Sequence, residues 1–102
     1  MDIRKLNLLA AIFLFGGAEA AAAQDAANGA RLSQRWCSEC HAIGSPADKS
    51  RGIPSFAAIA TKDNINADTI AAFLLLPHAT MPNHPLSRGD ARDIARFIME
   101  MK

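Results

Sequence analysis

Apolar residues recur at helical spacing near the end of the chain. The repeat at i, i+3, i+4 and i+7 consists of Ile94, Phe97, Ile98 and Met101. Charged residues fill the opposite side, which is typical of a helix that rests one face on a protein core. Ser87, followed three residues later by Asp90, predicts the start of this helix in a variant of the capping box.

A second helix is predicted from Asp25, as its N-cap, to about Trp36. Gly29 lies inside it, where a glycine costs about 1 kcal/mol relative to alanine. Either another element approaches the helix closely at Gly29, or the glycine is simply a weak point of the helix.

Two shorter helices are predicted between these by N-cap residues and apolar stripes. The first begins after Ser55, and its buried side consists of Phe56, Ile59 and Ala60. The second begins after Asn66, ends before Pro77, and has an apolar side made of Ile70, Phe73, Leu74, Leu75 and Leu76. Residues 43–52 and 77–85 have no helical period and are predicted to be irregular. Because no stretch alternates like a strand and no internal repeat appears, the predicted fold class is all-α.

The first 23 residues have a different pattern. Two basic residues precede a nearly unbroken apolar run over residues 6–15, and a stretch of small residues ends at Ala23. This is the layout of a secretory signal peptide cleaved after Ala23, since a membrane span needs roughly 17 to 25 apolar residues. The alternative is an uncleaved anchor lengthened by the following alanines. We therefore predict a signal peptide over residues 1–23, one domain over residues 24–102, a periplasmic location and no stable membrane insertion.

The size and composition of that domain limit the hydrophobic core that it can form. The chain has 102 residues and a formal charge of +1, and residues 24–102 contain nine basic and eight acidic side chains. Such a balance does not indicate a nucleic-acid partner. A domain of about eighty residues is near the lower limit for a stable core and usually needs a staple or a cofactor. A disulfide between its two cysteines would close too small a loop to help much, whereas a large flat apolar cofactor would supply the missing core.

The chemistry is concentrated in Cys37, Cys40 and His41, which have the C-x-x-C-H spacing of covalent c-type haem attachment. On a helical turn, positions i, i+3 and i+4 share one face, so both sulfurs and the imidazole can reach one flat ligand. The sulfurs would form thioethers with the two vinyl groups, and His41 would bind the iron.

Other interpretations of the cysteine pair are open. A thioredoxin-like redox site would need a βαβ context, which the helical pattern does not supply. A zinc site could use His78 and His84, although their distance from Cys40 along the chain is long for a zinc finger. A simple disulfide is the third alternative.

A haem iron has a second axial position, and Met81 is the favoured ligand. It lies in a proline-rich segment, followed by Pro82, where a methionine has no helical face to fill. Met101 belongs to the apolar stripe of the last helix, and Met99 lies off that stripe near the end of the chain. His78 and His84 are the other candidates. Methionine ligation would raise the reduction potential.

Four stretches of the chain together resemble the small bacterial class I cytochromes c. They are Cys37-Ser38-Glu39-Cys40-His41, Gly52-Ile53-Pro54, Thr80-Met81-Pro82-Asn83 and Asp93-Ile94-Ala95-Arg96-Phe97-Ile98. The resemblance implies one covalent haem c, with His41 and Met81 as the proximal and distal ligands of its iron. It also implies that the carbonyl of Pro54 accepts a hydrogen bond from the other ring nitrogen of His41, and that the first and last helices cross with Gly29 facing Phe97.

The function implied by the resemblance is one-electron transfer, without enzymatic activity. The protein would be a monomer that exchanges electrons with a donor reductase or dehydrogenase and an acceptor oxidase or reductase through transient contacts. Two alternatives are open. The chain could be the haem subunit of a larger oxidoreductase, or it could activate a small ligand at an open distal site, with His78 and His84 as acid/base groups.

Overall fold

The computed structural model describes residues 25–44, 52–77 and 80–102. The predicted signal peptide over residues 1–23, most of the first irregular segment and His78 lie outside these ranges. The helices are α1 (residues 25–36), α2 (Phe56–Ala60), α3 (Ala67–Leu75) and α4 (Arg88–Met99). The described ranges contain no strand, and the all-α prediction is confirmed. None of the helices in these ranges combines the length and the apolar character needed to cross a bilayer.

Three of the predicted N-caps are confirmed. The side-chain oxygens of Ser55, Asn66 and Ser87 each accept a hydrogen bond, 2.9–3.0 Å long, from the backbone N–H three residues later. At the start of α3, Thr69 Oγ1 also accepts from the backbone N–H of Asn66, which completes a capping box. Each helix start is therefore fixed by the residues immediately around it.

The predicted N-cap of the first helix is wrong. Asp25 is itself helical, so it lies inside α1 and not at the cap position. Its carboxylate instead forms an ion pair with the guanidinium of Arg96 on α4. Both side chains are substantially exposed, so this pair links the ends of the two helices without adding much stability.

The first and last helices cross at Gly29. A Cβ built there would overlap the carbonyl oxygen of Asp93 and lie 3.0 Å from the backbone nitrogen of Ile94. Beside this point, Asn28 Nδ2 donates a hydrogen bond of 2.7 Å to Asp93 Oδ2. The backbones of α1 and α4 are thus in direct contact, as the resemblance implies, but the nearest residues lie one turn before Phe97.

The core is small. The buried hydrophobic residues in the described ranges are Cys37, Phe56, Ala60, Ile70, Ala91, Ile94, Ala95 and Ile98. The predicted stripe of α4 supplies Ile94 and Ile98, while Phe97 and Met101 pack against the core only partly buried. The sequence pattern missed Ala91 and Ala95, whose short side chains suit close helix packing.

Helix α3 buries less of its apolar side than its periodicity predicts. Ile70 is buried and Leu74 is half-buried. Phe73, Leu75 and Leu76 are 53%, 43% and 58% exposed. One side of α3 therefore faces something other than the protein core.

We expect Gly29→Ala to lower the free energy of unfolding by more than about 2 kcal/mol, because the added methyl group must overlap Asp93 or push α1 away from α4. The matched control is Gly89→Ala in the first turn of α4, where a Cβ meets only Ser87 Oγ, at 3.8 Å. That change should leave stability unchanged or raise it by up to about 1 kcal/mol. Equal effects in chemical denaturation would contradict the crossing.

Candidate functional site

The cysteines and the histidine lie on a tight turn that continues α1. The backbone N–H of Cys37 donates to the carbonyl oxygen of Ser33, at 2.9 Å. The N–H groups of Cys40 and His41 both donate to the carbonyl oxygen of Cys37, at 3.2 and 2.9 Å. These i to i+3 and i to i+4 bonds form one helical turn, and both sulfur-bearing residues and His41 line the same cavity.

That cavity has a volume of about 770 Å³, within the range of cofactor sites. Its walls are mainly apolar and come from α2, α3, α4 and the segment before α2; they include Ile53, Phe56, Ile59, Ile70, Phe73 and Leu74. Besides the cysteines and His41, the polar side chains along its border are those of Lys62, Thr69 and Thr80. Among its described lining residues, Lys62 alone carries a fixed charge.

The ring of His41 is held from two directions. Its Nδ1 lies 2.6 Å from the carbonyl oxygen of Pro54. Because a carbonyl oxygen can only accept, Nδ1 carries the proton, which leaves Nε2 with a free lone pair. The ring also packs on Phe56, with centroids 5.6 Å apart, and the backbone N–H of Phe56 donates to the carbonyl oxygen of Ala42. The imidazole is therefore fixed in both orientation and tautomer.

The two cysteines are free thiols in different surroundings. Cys37 is buried and Cys40 is exposed. Burial raises the pKa of the Cys37 thiol to about 11, so the thiol stays protonated at neutral pH. Redox-active cysteine pairs depend instead on a lowered thiol pKa, so the environment of Cys37 disfavours the thioredoxin-like interpretation.

The described ranges do not group three His, Cys, Asp or Glu side chains as a metal site would. The zinc interpretation also requires His78, which lies outside those ranges, and His84. The ring of His84 does not border the cavity that Cys37 and Cys40 line.

Among the candidates for the second axial ligand that the structure describes, Met81 alone borders the cavity of His41. It is half-buried in the irregular segment between α3 and α4. His84 lies three residues further on, and its ring packs on that of Trp36, with centroids 5.2 Å apart. Met99 borders a separate shallow pocket, and Met101 packs against the core.

The sequence did not reveal the wall that α3 contributes to the cavity. Phe73 and Leu74 had the correct helical spacing, but periodicity cannot distinguish a face on the protein core from a face on a ligand. No sequence pattern indicated that Lys62 borders the cavity, since an isolated lysine between two helices is usually a surface residue.

Comparison with curated proteins gives a match over the entire chain. The chain is 38% identical over 103 aligned residues to "Cytochrome c-552" of Bradyrhizobium diazoefficiens, and the alignment covers 100% of this chain and 97% of that protein. No family model matches, and no solved structure gives a significant match. Identity of this extent decides the family. The chain belongs to the small bacterial class I c-type cytochromes.

The cofactor of this cytochrome is covalently bound haem c, as predicted, and its activity is electron transfer with redox partner proteins. The cavity fits that cofactor. It combines apolar walls with two free thiols on one turn, an imidazole with a free Nε2, and a methionine in the segment before α4.

Gly52 determines the backbone conformation just before Pro54. It adopts φ +81°, a left-handed conformation that favours glycine, two residues before the carbonyl that binds His41. A Cβ built at Gly52 meets nothing within 4 Å, and the same holds for Gly44. Neither glycine is crowded, and of the two Gly52 has the positive φ. Alanine at each position therefore shows how much the positive φ alone affects stability.

We expect Gly52→Ala to lower the free energy of unfolding of the cytochrome by about 1–2 kcal/mol, because alanine is strained at positive φ. Gly44→Ala should change it by less than about 0.5 kcal/mol. Chemical denaturation followed by circular dichroism checks both variants. Equal stability of the two would show that the positive φ at Gly52 does not constrain this segment.

Proposed function

We propose that this cytochrome is a periplasmic one-electron carrier whose haem iron is bound by His41 and Met81. The observation that carries the proposal is the arrangement around one cavity. Cys37, Cys40, His41 and Met81 all border it, although the last lies 40 residues from His41 along the chain. The free Nε2 of His41 gives this set a strong nitrogen ligand.

When bound, the haem supplies an iron that accepts and releases one electron. Cys37 and Cys40 would hold it covalently through thioethers. The apolar side chains of the cavity would exclude water, and Lys62, at its border, would pair with a carboxylate of the cofactor. The bond from His41 Nδ1 to Pro54 keeps the imidazole in one tautomer and raises its basicity as a ligand.

Met81 would supply a neutral thioether as the second ligand, which would favour the reduced iron and raise the reduction potential. His41 is positioned by the turn after α1, and Met81 by the segment before α4. Because both ligands belong to the protein, the coordination can stay the same in the two oxidation states. Little rearrangement then accompanies each electron transfer.

Redox partners would dock beside the cavity. Leu75 and Leu76, at the end of α3, are 43% and 58% exposed and do not line the cavity. An exposed apolar group of this kind suits a small transient interface of less than roughly 1,200 Å².

The same exposed residues favour a second candidate function, as the haem subunit of a larger oxidoreductase. Gel filtration of a native extract, monitored by haem absorption, separates the two. A free carrier elutes at the mass of a single chain, whereas a subunit elutes with its complex.

For the covalent attachment, we expect Cys37→Ala or Cys40→Ala to reduce the yield of covalently bound haem sharply, because each leaves one thioether. The double variant should have none. Ser38→Ala, in the same turn, is the control and should retain both bonds. Haem staining after denaturing electrophoresis and the band position in alkaline pyridine measure the result. Full covalent attachment in the double variant would refute the roles of the cysteines.

The axial ligand is tested by Met81→Leu, which removes the sulfur and conserves volume. We expect it to abolish the sulfur-to-iron charge-transfer band of the oxidised protein and to let the reduced protein bind carbon monoxide readily. Met99→Leu removes a methionine outside the cavity and should do neither. If the unmodified protein already bound carbon monoxide readily, the ligand-activating alternative would replace the carrier.

For the location, we expect the protein recovered from the periplasmic fraction to begin at Gln24, with residues 1–23 removed. Intact-mass measurement of the haem-bound protein tests this, because loss of the signal peptide and addition of haem change the mass by known amounts. Retention of residues 1–23 on protein held in the membrane fraction would favour the anchor.

A further inference from the structure

The segment that carries Met81 joins the border of the cavity to the start of α4. We call residues 80–87, which precede α4, the Met81 strap. The strap is irregular, with a backbone hydrogen bond from Leu86 N–H to the carbonyl oxygen of His84, at 2.8 Å. Leu86 packs on the core near its end. Between Leu86 and Met81, the ring of His84 contacts Trp36.

The strap packs against Trp36, which is itself held by the core. It is the last residue of α1, directly before Cys37, and it packs against the core partly buried. The guanidinium of Arg35 also lies over its ring, 4.8 Å from the centroid. The His84 ring meets the indole with centroids 5.2 Å apart and an interplanar angle of 32°. This is the geometry of a favourable aromatic contact.

We propose that His84 is a positioning residue for Met81: its ring, packed on Trp36, ties the strap to the turn that carries the haem cysteines. The contact lowers the fraction of molecules in which the Met81 sulfur is away from the iron. This inference rests on the proposed ligand role of Met81. It assigns His84, a rival ligand by sequence, a different role at the same site.

The short path between the two residues makes the coupling effective. Three residues span at most about 10 Å, so an anchor at His84 limits where Met81 can move. Pro82 and Pro85 fix two of the backbone φ angles in this stretch and make it stiffer. An aromatic contact of this kind changes a conformational equilibrium by about 2- to 12-fold.

The test is a titration of the oxidised, haem-bound protein with imidazole. Imidazole binds only where Met81 has left the iron, so its apparent affinity is proportional to the open fraction. We expect His84→Ala to bind imidazole about 2- to 12-fold more tightly than the unmodified protein. His84→Phe keeps an aromatic ring on Trp36 and should stay within about twofold of the unmodified protein.

Trp36→Leu tests the contact from its other side. It should raise imidazole affinity as His84→Ala does, and the double variant should add nothing further, since both changes break the same contact. The proposal would be overturned if His84→Ala bound imidazole with unchanged affinity, or if this variant lost stability alone. It would also be overturned if the Phe and Ala variants behaved alike, or if the two effects were additive in the double variant.

Met81→Leu serves as the reference for a fully open site. If the unmodified protein bound imidazole as tightly as Met81→Leu, Met81 would not be a ligand, and the proposed function would fail. If Met81→Leu bound much more tightly while His84→Ala matched the unmodified protein, the proposed ligand would stand and the role of His84 alone would fail.

Discussion

The cavity between the cysteine turn and α3 is the feature on which the remainder of the structure depends. A domain of about eighty residues can bury little apolar surface, and here the buried hydrophobic residues of the described ranges number eight. Four of them, Cys37, Phe56, Ile70 and Ile98, also line the cavity. Filling the cavity with a flat apolar cofactor therefore extends the core itself. Covalent attachment keeps the cofactor there even when the surrounding chain fluctuates.

The crossing of α1 and α4 is the main constraint that the protein supplies by its own packing. The glycine at position 29 lets the two backbones touch at Asp93. The end of α1 leads directly into the cysteine turn, and α4 contributes Ile98 to the lining of the same cavity. The contact thus sets the distance between the cysteine turn and one wall of the cavity. Ring packing of Phe56 against Phe97, with centroids 6.2 Å apart, joins the same helix to α2.

Features encoded by neighbouring residues could be predicted from the sequence. The caps at Ser55, Asn66 and Ser87 depend on a side chain and an N–H three residues away. The joint placement of Cys37, Cys40 and His41 follows from one helical turn. Asp25 was mistaken for a cap because an aspartate suits both the cap position and the first turn of a helix.

Features that depend on distant parts of the chain left no such pattern. The residues Trp36 and His84 are 48 positions apart, and neither has a periodicity that points to the other. The face of α3 that borders the cavity has the same apolar spacing as one that meets a protein core. Phe73 on this face is exposed because α3 covers one side of the cavity, an arrangement that the spacing of apolar residues does not show.

If haem completes the core, it also holds these helices together. The most direct test compares far-ultraviolet circular dichroism and thermal unfolding of the haem-bound protein with those of the same chain prepared without haem. We expect the haem-free chain to lose most of its helical signal and to unfold without a sharp transition, while the haem-bound protein unfolds cooperatively. A haem-free chain with the full helical signal and a cooperative transition would contradict it.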